Sequence, residues 1–274
     1  MKSTARTLRS RRDGKGAANP AANFDCVALL LQGGGAMGAY QGGVYEALAE
    51  AGLHPDWVAG ISIGAINAAI IAGNPRDQRV ERLHAFWNQI TASPLSGFLD
   101  NVFGDEHPLS GIGDTAHGVL NQLSAVRALV TGAPGFFSPR IPPPWLVPAG
   151  RQDSTSFYDT GPLKTTLESL IDFDRINSRE MSFSVGAVNV RTGNFVYFDT
   201  STHTIRPEHI LASGALPPGF PAIEIDGEHY WDGGLVSNTP LQWVVDSERR
   251  HDMLAFQVDL WSSRGKFPND LNEV

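Results

Sequence analysis

Continuously apolar runs alternate with segments of helical spacing along the first third of the chain. Residues 26–31 (CVALLL) are all apolar, which predicts a buried strand of a parallel sheet. Residues 39–52 have apolar positions at helical spacing and end in glycine, which predicts a helix. A short strand at residues 56–62 leads into a helix at residues 62–73 that is apolar on nearly every face, and an amphipathic helix follows at residues 76–90. This order predicts the start of an α/β domain.

The same alternation returns in the second half of the chain. The regular segments predicted there are a helix at 161–171, strands at 182–190 and 195–200, a helix at 207–216, a strand end at 229–231 and a late core strand at 253–261. Strands that alternate with helices are typical of a parallel sheet covered by helices. We therefore expect a single α/β domain over residues 25–274.

Residues 92–157 interrupt this alternation. They are dense in Pro and Gly, and only a stretch near residues 115–130 is compatible with a helix. Large apolar residues are nevertheless frequent, namely Phe98, Phe103, Phe136, Phe137, Ile141, Trp145, Leu146 and Val147. Long irregular segments inside a compact domain are usually lids or binding loops, so we expect an insertion that covers the functional edge of the sheet. Simple burial of these side chains against the core is the alternative.

Charge and composition narrow the classes of function. The chain of 274 residues has a net charge of −8, which argues against a nucleic-acid partner. Residues 1–23 nevertheless contain six basic residues against one acidic residue, and almost no large apolar side chain. We expect residues 1–24 to be a disordered basic head, either a solvated tail or presequence, or a weak electrostatic anchor to anionic lipid.

Cysteine content and apolar run lengths bear on the cellular compartment. Cys26 is the only cysteine, so no intrachain disulfide is expected, and its place in an apolar strand predicts a buried small residue. The sequence has no run of 18 apolar residues and no cluster with metal-ligand spacing. These features predict a cytoplasmic protein, with peripheral contact to a membrane as an option, and neither a metal nor a cofactor.

Glycines follow the first strand in the pattern G-x-G-x-x-G, at Gly33, Gly35 and Gly38. Such a turn can hold the pyrophosphate of a dinucleotide at a helix N-terminus, or the oxyanion that forms during acyl transfer. In a dinucleotide fold an acidic residue should end the second strand, but Asp56 precedes that strand here. The sequence therefore favours an oxyanion hole.

Ser62 is the candidate nucleophile, because Gly60 and Gly64 flank it in a G-x-S-x-G motif. The motif lies between a predicted strand and a buried helix, where such a turn exposes the serine and needs glycine on either side to avoid clashes. A serine that caps a helix and is followed by a packing glycine is the alternative interpretation.

A serine nucleophile needs a base, and the sequence offers two candidates. Asp232 lies between an aromatic strand end and two glycines, where its carboxylate would be exposed, although Asp-Gly turns are common. The order Ser62, Asp232, His251 is also that of an α/β-hydrolase triad. That fold places several strands ahead of its serine, whereas only one strand-helix unit fits here, and His251 lies in a polar stretch. Asp232 is the preferred base.

The motifs GGGAMG, GISIG and DGG occur in this order, with ASGALPPGFPA shortly before the last. Over roughly residues 27–260 they resemble the patatin-like phospholipases, including bacterial members. The resemblance implies a three-layer α/β/α sandwich with a mainly parallel sheet, in which Ser62 is the nucleophile and Asp232 its dyad partner. It implies an oxyanion hole at Gly33, Gly34 and Gly35, with motif support from Gly38, Gly60, Gly64, Gly233 and Gly234.

Two features depart from the family pattern. The glycine loop of the family often carries Arg or Lys just before its last glycine, where this chain has Met37. This puts in doubt any role of that cation in binding a phosphate head group. The chain also stops abruptly after LNEV, which leaves open whether the native protein continues past Val274.

The resemblance implies a lipid acyl hydrolase that cleaves carboxylic esters through an acyl-serine, without a catalytic histidine, metal or cofactor. Its partner would be a lipid ester, met at a lipid surface by the insertion at residues 92–157. The substrate class (phospholipid, glyceride, lysolipid or polyester) and the oligomeric state stay open. The alternatives are a nucleotide-binding oxidoreductase that uses the glycine turn, and a non-catalytic lipid-binding protein on the same fold.

Overall fold

The computed structural model describes residues 24–92, 128, 130–247, 252–261 and 264. The strands are β1 (Cys26–Leu31), β2 (Trp57–Gly60), β3 (Ser138–Pro139), β4 (Tyr158–Asp159), β5 (Ser182–Asn189), β6 (Phe195–Asp199), β7 (Ile223–Ile225), β8 (Glu228–Asp232) and β9 (Met253–Val258). The helices are α1 (Ala39–Glu50), α2 (Ile63–Ala72), α3 (Arg79–Thr91), α4 (Gly161–Leu170), α5 (Phe173–Asn177), α6 (Pro207–Ser213) and α7 (Leu241–Val245).

Four adjacent parallel strands form one side of the main sheet. β1 pairs in parallel with β2 on one side and with β9 on the other, and β2 pairs in parallel with β5. β5 also pairs in antiparallel fashion with β6 and β8, and β8 pairs with β7. Leu31 lies opposite Gly60 in the register, so the loops that follow β1 and β2 begin at the same edge of the sheet.

Alternate residues of β1 face two separate apolar layers. Leu29 and Leu31 belong to the larger core, which includes side chains of α2, α3 and α4. Ala28 and Leu30 belong to a smaller cluster on the opposite face, where Val244 of α7 packs. Since both faces of β1 are covered, every position in the strand is buried, which explains the uninterrupted apolar run. The expectation of an α/β sandwich with a mostly parallel central sheet is confirmed.

Helix α2 is buried along its whole length. All ten of its residues are buried, as the apolar sequence predicts. Its one polar side chain is Asn67, which is held by three hydrogen bonds. Asn67 Nδ2 donates to Gly38 O and to Gln41 Oε1, both at 2.9 Å, and Trp87 Nε1 donates to Asn67 Oδ1 at 3.1 Å. This buried amide fixes the helix against α1, α3 and the glycine loop.

Short elements and the burial of one strand differ from the sequence prediction. Helices α5 and α7 and strand β7 are three to five residues long and were not predicted, because such short segments have no measurable periodicity. The late strand was predicted to lie in the core. Among the described strands β9 pairs with β1 alone, and Val258 is its one buried residue, so the core prediction is wrong for most of β9.

The described part of the predicted insertion combines packed and exposed apolar side chains. Phe136 and Phe137 pack in an aromatic cluster with Tyr158 and Phe220, and the Phe137 and Tyr158 rings have centroids 4.7 Å apart. Beyond them the chain exposes Ile141, Trp145 and Leu146, at 92%, 73% and 68% of their surface. The two phenylalanines are therefore half-buried and packed against other rings, whereas the turn that follows is exposed.

Several sequence predictions lie outside the described residues. These are the disordered basic head up to residue 23, Phe98 and Phe103, most of the predicted helix near residues 115–130, His251 and Val274. They stay predictions.

The close approach of α2 to β1 predicts the effect of adding a methyl group at Gly64. A Cβ atom there would lie 2.2 Å from the carbonyl oxygen of Leu31, whereas one at Gly43, on the exposed side of α1, would meet nothing within 4 Å. We expect Gly64→Ala to lower the free energy of unfolding by about 1–3 kcal/mol through overpacking. Gly43→Ala should raise it by about 0.5–1 kcal/mol, because alanine has the higher helix propensity.

Urea unfolding of the two alanine variants beside the wild type measures both effects. Equal midpoints for Gly64→Ala and Gly43→Ala would contradict the close contact between the serine turn and β1.

Candidate active site

Ser62 lies in a strained turn between β2 and α2. Its φ is +54°, a left-handed value that non-glycine residues rarely adopt. The turn is tight enough that a Cβ on Gly60 would lie 2.2 Å from Gly64 O. The glycines of the G-x-S-x-G motif are therefore required by the close approach of backbone to backbone. The turn presents the serine hydroxyl at the carboxyl edge of the sheet.

Asp232, the last residue of β8, meets Ser62 at this edge. The Ser62 hydroxyl donates a hydrogen bond to Asp232 Oδ2 at 2.7 Å. The other carboxylate oxygen accepts from the backbone N–H of Gly234, also at 2.7 Å. The backbone N–H of Ser62 donates to Ser213 Oγ at 3.0 Å, which fixes the turn from the side of α6. The two residues that the sequence paired, 170 positions apart, are thus in direct contact.

Burial makes the Asp232 carboxylate a stronger base than a surface aspartate. Only 3% of the residue is exposed, and this desolvation raises the pKa of Asp232 above its ordinary value. The hydrogen bonds from Ser62 and Gly234 lower the pKa, but burial outweighs them. Perturbed carboxyl groups of this kind, in contact with a nucleophile, are typical of active sites.

The glycine loop lies next to Ser62, and its three glycines differ in their hydrogen bonding. The N–H of Gly33 donates to the carbonyl oxygen of Asn238 at 3.2 Å, so this amide is already engaged. Within the described part of the chain the amides of Gly34 and Gly35 have no acceptor. The Gly33 amide therefore holds the loop in place, while the oxyanion hole expected at Gly33, Gly34 and Gly35 stays a prediction.

A cavity of about 360 Å³ opens over these groups. It is lined by Gly33, Gly34, Gly35, Ser62, Leu216, Asp232, Gly234, Asn238 and Trp261. Leu216 and Trp261 are about half exposed and give the cavity an apolar border. Ser213, Leu216, Asn238 and Trp261 were not predicted from the sequence as residues of the site. The signal that was available for Asn238 was its place four residues after the DGG motif, in a polar stretch.

The other candidate residues from the sequence either stabilise the fold or lie outside this cavity. Asp56 accepts a hydrogen bond from the Val27 N–H at 2.9 Å, so its carboxylate ties β2 to β1. Cys26 is buried in β1, as predicted. Met37 lies on the glycine loop with partly exposed surface. No cluster of three or more His, Cys, Asp or Glu side chains occurs among the described residues.

Helix lengths and hydropathy also bear on membrane association. Within the described ranges, no helix combines the length and the apolar character that crossing a bilayer requires.

Comparison with known proteins assigns the family. A family model described as "Patatin-like phospholipase" matches residues 29–244. The chain belongs to the patatin-like phospholipase family. The match includes the glycine loop, the serine turn and the segment with Asp232, and it agrees with the α/β fold described above. Ester-hydrolysing lipid hydrolases are the enzyme class of this family.

The similar curated proteins are much longer than this chain. Patatin-like phospholipase domain-containing protein 7 of Rattus norvegicus is 34% identical over 89 residues, which cover 32% of this chain and 7% of the rat protein. Patatin-like phospholipase domain-containing protein 6 of Homo sapiens is 39% identical over 77 residues, 28% of this chain and 6% of the human protein. These matches span less than a tenth of each relative's length.

A solved structure, VipD from Legionella pneumophila, is also similar. The alignment has a TM-score of 0.46 and 17% sequence identity, and it covers 85% of this chain and 49% of VipD.

The buried charge of Asp232 predicts a gain of stability when that charge is removed. Because burial raises the pKa of this carboxyl, the ionised form is less stable in the folded protein than in the unfolded chain. We expect Asp232→Asn to raise the thermal midpoint at pH 7. The gain should shrink as the pH falls through the raised pKa of the folded state, and it should vanish only below the ordinary aspartate pKa of about 3.9, where the wild-type carboxyl is protonated in both states.

Asparagine suits the site, because its oxygen can accept from Gly234 N–H and its amide can donate to Ser62 Oγ. Asp77→Asn, at an exposed turn position, serves as a control that should show no comparable gain. Thermal melts across pH 4–8 measure the difference. A midpoint for Asp232→Asn below that of the wild type at neutral pH would contradict the cost of the buried charge.

Proposed function

We propose that this protein is a serine acyl hydrolase that cleaves the carboxylic ester bonds of lipids through a Ser–Asp dyad. The observation that carries the proposal is the 2.7 Å hydrogen bond from the Ser62 hydroxyl to Asp232, inside a cavity bordered by the glycine loop. Family membership supports a lipid ester as the substrate, and the contact between the two side chains supports the mechanism.

In the first half-reaction Ser62 Oγ attacks the ester carbonyl carbon, and its proton passes to Asp232 Oδ2. The tetrahedral intermediate then collapses, the bond to the alcohol oxygen breaks, and the alcohol leaves with the proton from Asp232. The product is an acyl-serine. The raised pKa of Asp232 favours this proton transfer, because a carboxylate of ordinary pKa is a weak base for a serine hydroxyl.

The negative charge on the carbonyl oxygen would be stabilised by backbone amides. Gly34 and Gly35 line the cavity beside Ser62, and their N–H groups are unpaired in the described part of the chain. Ser62 also immediately precedes the ten-residue helix α2, whose N-terminal dipole favours negative charge. One donor of this type is worth about 2.7–4 kcal/mol of barrier in other enzymes.

In the second half-reaction a water molecule attacks the acyl carbon and gives its proton to Asp232. Collapse of this intermediate breaks the bond to Ser62 Oγ, which takes the proton back and releases the fatty acid. The dyad returns to its starting state, and neither step calls on a metal or a cofactor.

The two other hypotheses explain the site less well. A dinucleotide site would need a free acidic group at the end of β2, but Asp56 is hydrogen-bonded to the backbone of β1 at the other end. A non-catalytic lipid-binding protein has no use for a serine held at a strained φ of +54° against a buried carboxylate. Strain of this kind persists where it serves a function.

Ser62→Ala tests the nucleophile. We expect the variant to lose turnover of a p-nitrophenyl ester by about 10³-fold or more, because no other group replaces the attacking oxygen. A fluorophosphonate probe should label the wild type at Ser62 in mass spectrometry and leave the variant unlabelled. Ser169→Ala, on helix α4, is the matched control and should keep both turnover and labelling.

A Ser62→Ala variant that retains most of the wild-type turnover would refute the assignment. His251→Ala, made in parallel, separates the dyad from a triad. Loss of turnover in that variant, with activity kept in Asp232→Asn, would place the histidine in the mechanism instead.

We also propose that the exposed turn of the insertion contacts the lipid surface. This turn, residues 141–147, exposes Ile141, Trp145 and Leu146. It is linked to the cavity through β4, because the N–H groups of Phe157 and Tyr158 donate to the carbonyls of Pro218 and Gly219. Pro218 and Gly219 belong to the loop that follows α6. Leu216, in the same loop, lines the cavity. The apolar turn and the mouth of the site are thus supported by the same loop.

Trp145→Ser combined with Leu146→Ser tests this contact. Burial of a large apolar side chain yields about 1.5–3 kcal/mol, so we expect binding to phosphatidylcholine vesicles to weaken by about tenfold or more. Turnover of short soluble esters should be unchanged. Phe137→Ser is the contrasting variant, because it removes a packed ring and should lower the melting temperature instead. Unchanged vesicle binding by the double variant would rule out this surface.

A further inference from the structure

Asn238 holds Gly33 by two reciprocal hydrogen bonds. Its side-chain Nδ2 donates to the carbonyl oxygen of Gly33 at 2.9 Å, and its own backbone carbonyl accepts from the Gly33 N–H at 3.2 Å. Both hydrogen-bonding groups of the Gly33 backbone are therefore bound to one residue, 205 positions away in sequence. Two such bonds fix both the position and the orientation of a peptide segment.

Gly33 is packed between Asn238 and the nucleophile. A Cβ atom on Gly33 would lie 2.2 Å from Asn238 Oδ1 and 3.1 Å from Ser62 Cβ. The space between the two side chains thus admits a backbone without a side chain and nothing larger. Any movement of Asn238 away from Gly33 would also change where Gly34 and Gly35 lie relative to Ser62.

The neighbours of Gly33 and Asn238 extend this contact. Gln32 Nε2 donates to Thr239 Oγ1 at 3.0 Å, so the two segments are joined at adjacent positions. Gln32 Oε1 accepts from the backbone N–H groups of Leu260 and Trp261, at 2.6 and 3.0 Å. The same pair of segments therefore also sets the position of Trp261 at the border of the cavity.

The opposite side of the loop is attached to the buried helices. Gln41 Nε2 donates to Gln32 O at 2.7 Å, and Asn67 Nδ2 donates to Gly38 O at 2.9 Å. Both of these amide side chains are buried. The two ends of the loop are thus fixed to α1 and α2, whereas Gly33, next to the free amides, is bound by Asn238.

We propose that Asn238 is a positioning residue for the oxyanion hole, acting through Gly33 to keep the Gly34 and Gly35 amides beside Ser62. The proposal rests on the proposed hydrolase function. Asn238 follows Asp232 by six residues in the same segment, so one stretch of chain supplies both the base for Ser62 and the support for the amides. The dyad and the oxyanion hole then keep a fixed relation to each other.

Asn238→Asp and Asn238→Ala test the proposal in the full-length chain. Aspartate keeps the size but loses the Nδ2 donor, and alanine removes the whole amide. Since a misplaced group costs up to about a hundredfold in rate, we expect kcat on a soluble p-nitrophenyl ester to fall by about tenfold or more, with KM changed by less than about threefold. Hydrogen–deuterium exchange should show faster uptake in a peptide covering residues 33–38 and unchanged uptake in α2.

Asn177→Asp is the matched control. Asn177 is also an asparagine whose Nδ2 donates to backbone carbonyls, in its case those of Phe173 and Ile205, but it lies on α5, away from the cavity. We expect this variant to lower the melting temperature without changing kcat. If Asn238 had a purely structural role, Asn238→Asp would also lower the melting temperature without changing kcat. That result would overturn the proposal.

Unchanged exchange at residues 33–38 in both Asn238 variants would also overturn it, as would wild-type kcat alongside faster exchange. A wild-type chain without Ser62-dependent turnover would instead refute the proposed function. In that case the exchange measurement would still decide whether Asn238 holds the loop.

Discussion

Strand β5 sets the distance between Ser62 and Asp232, the proposed nucleophile and base, and the rest of the site depends on that register. Gly60, two residues before Ser62, lies opposite Val185, and Asp232 lies opposite Ala187. Two residues along a strand span about 6.6 Å, so the serine turn and the carboxylate reach the same edge from neighbouring positions. A shift of one residue would separate them and would also exchange the β5 side chains between the two sides of the sheet. The burial of almost every residue in β5 opposes such a shift.

Two features that lower the stability of the fold, at Ser62 and at Asp232, lie at this edge of the sheet and are offset by the packing of the core. Ser62 has a strained backbone, and Asp232 has a carboxylate in a desolvated position. Both features lower stability, and both are useful for acyl transfer, because the strain exposes the hydroxyl and the desolvation raises the basicity of the carboxylate. Helix α2, buried at every residue, follows Ser62 directly, so a fully buried element supports the strained turn.

The sequence predicted what depends on local pattern and missed what depends on contacts between distant residues. Continuous apolar runs predicted β1 and α2 correctly, and the motifs led to Ser62 and Asp232. The three adjacent glycines are identical in sequence, and the two hydrogen bonds to Asn238 distinguish Gly33 from the next two. A hydrogen bond between a side-chain amide and a backbone 205 residues away produces no periodic signal. In the insertion, Phe137 and Trp145 are both large aromatic residues in a stretch rich in Pro and Gly. Phe137 nevertheless packs in an aromatic cluster, whereas Trp145 is exposed.

Two stretches of the chain supply the site, and each contributes a different kind of group. Residues 33–62 contain the Gly34 and Gly35 amides and Ser62, the proposed nucleophile, and these groups follow strands that pair directly with each other. Residues 213–239 contribute the groups that hold them, from the hydroxyl of Ser213 on the Ser62 amide to the amide of Asn238 on Gly33. The second stretch also contains Pro218 and Gly219, whose carbonyls accept from Phe157 and Tyr158, and the N–H of Arg140, next to the exposed apolar turn, donates to Phe157 O. Contact of that turn with a lipid surface would therefore act on the same segment that holds the base and supports the oxyanion loop, which gives interfacial binding a direct structural route to the catalytic groups.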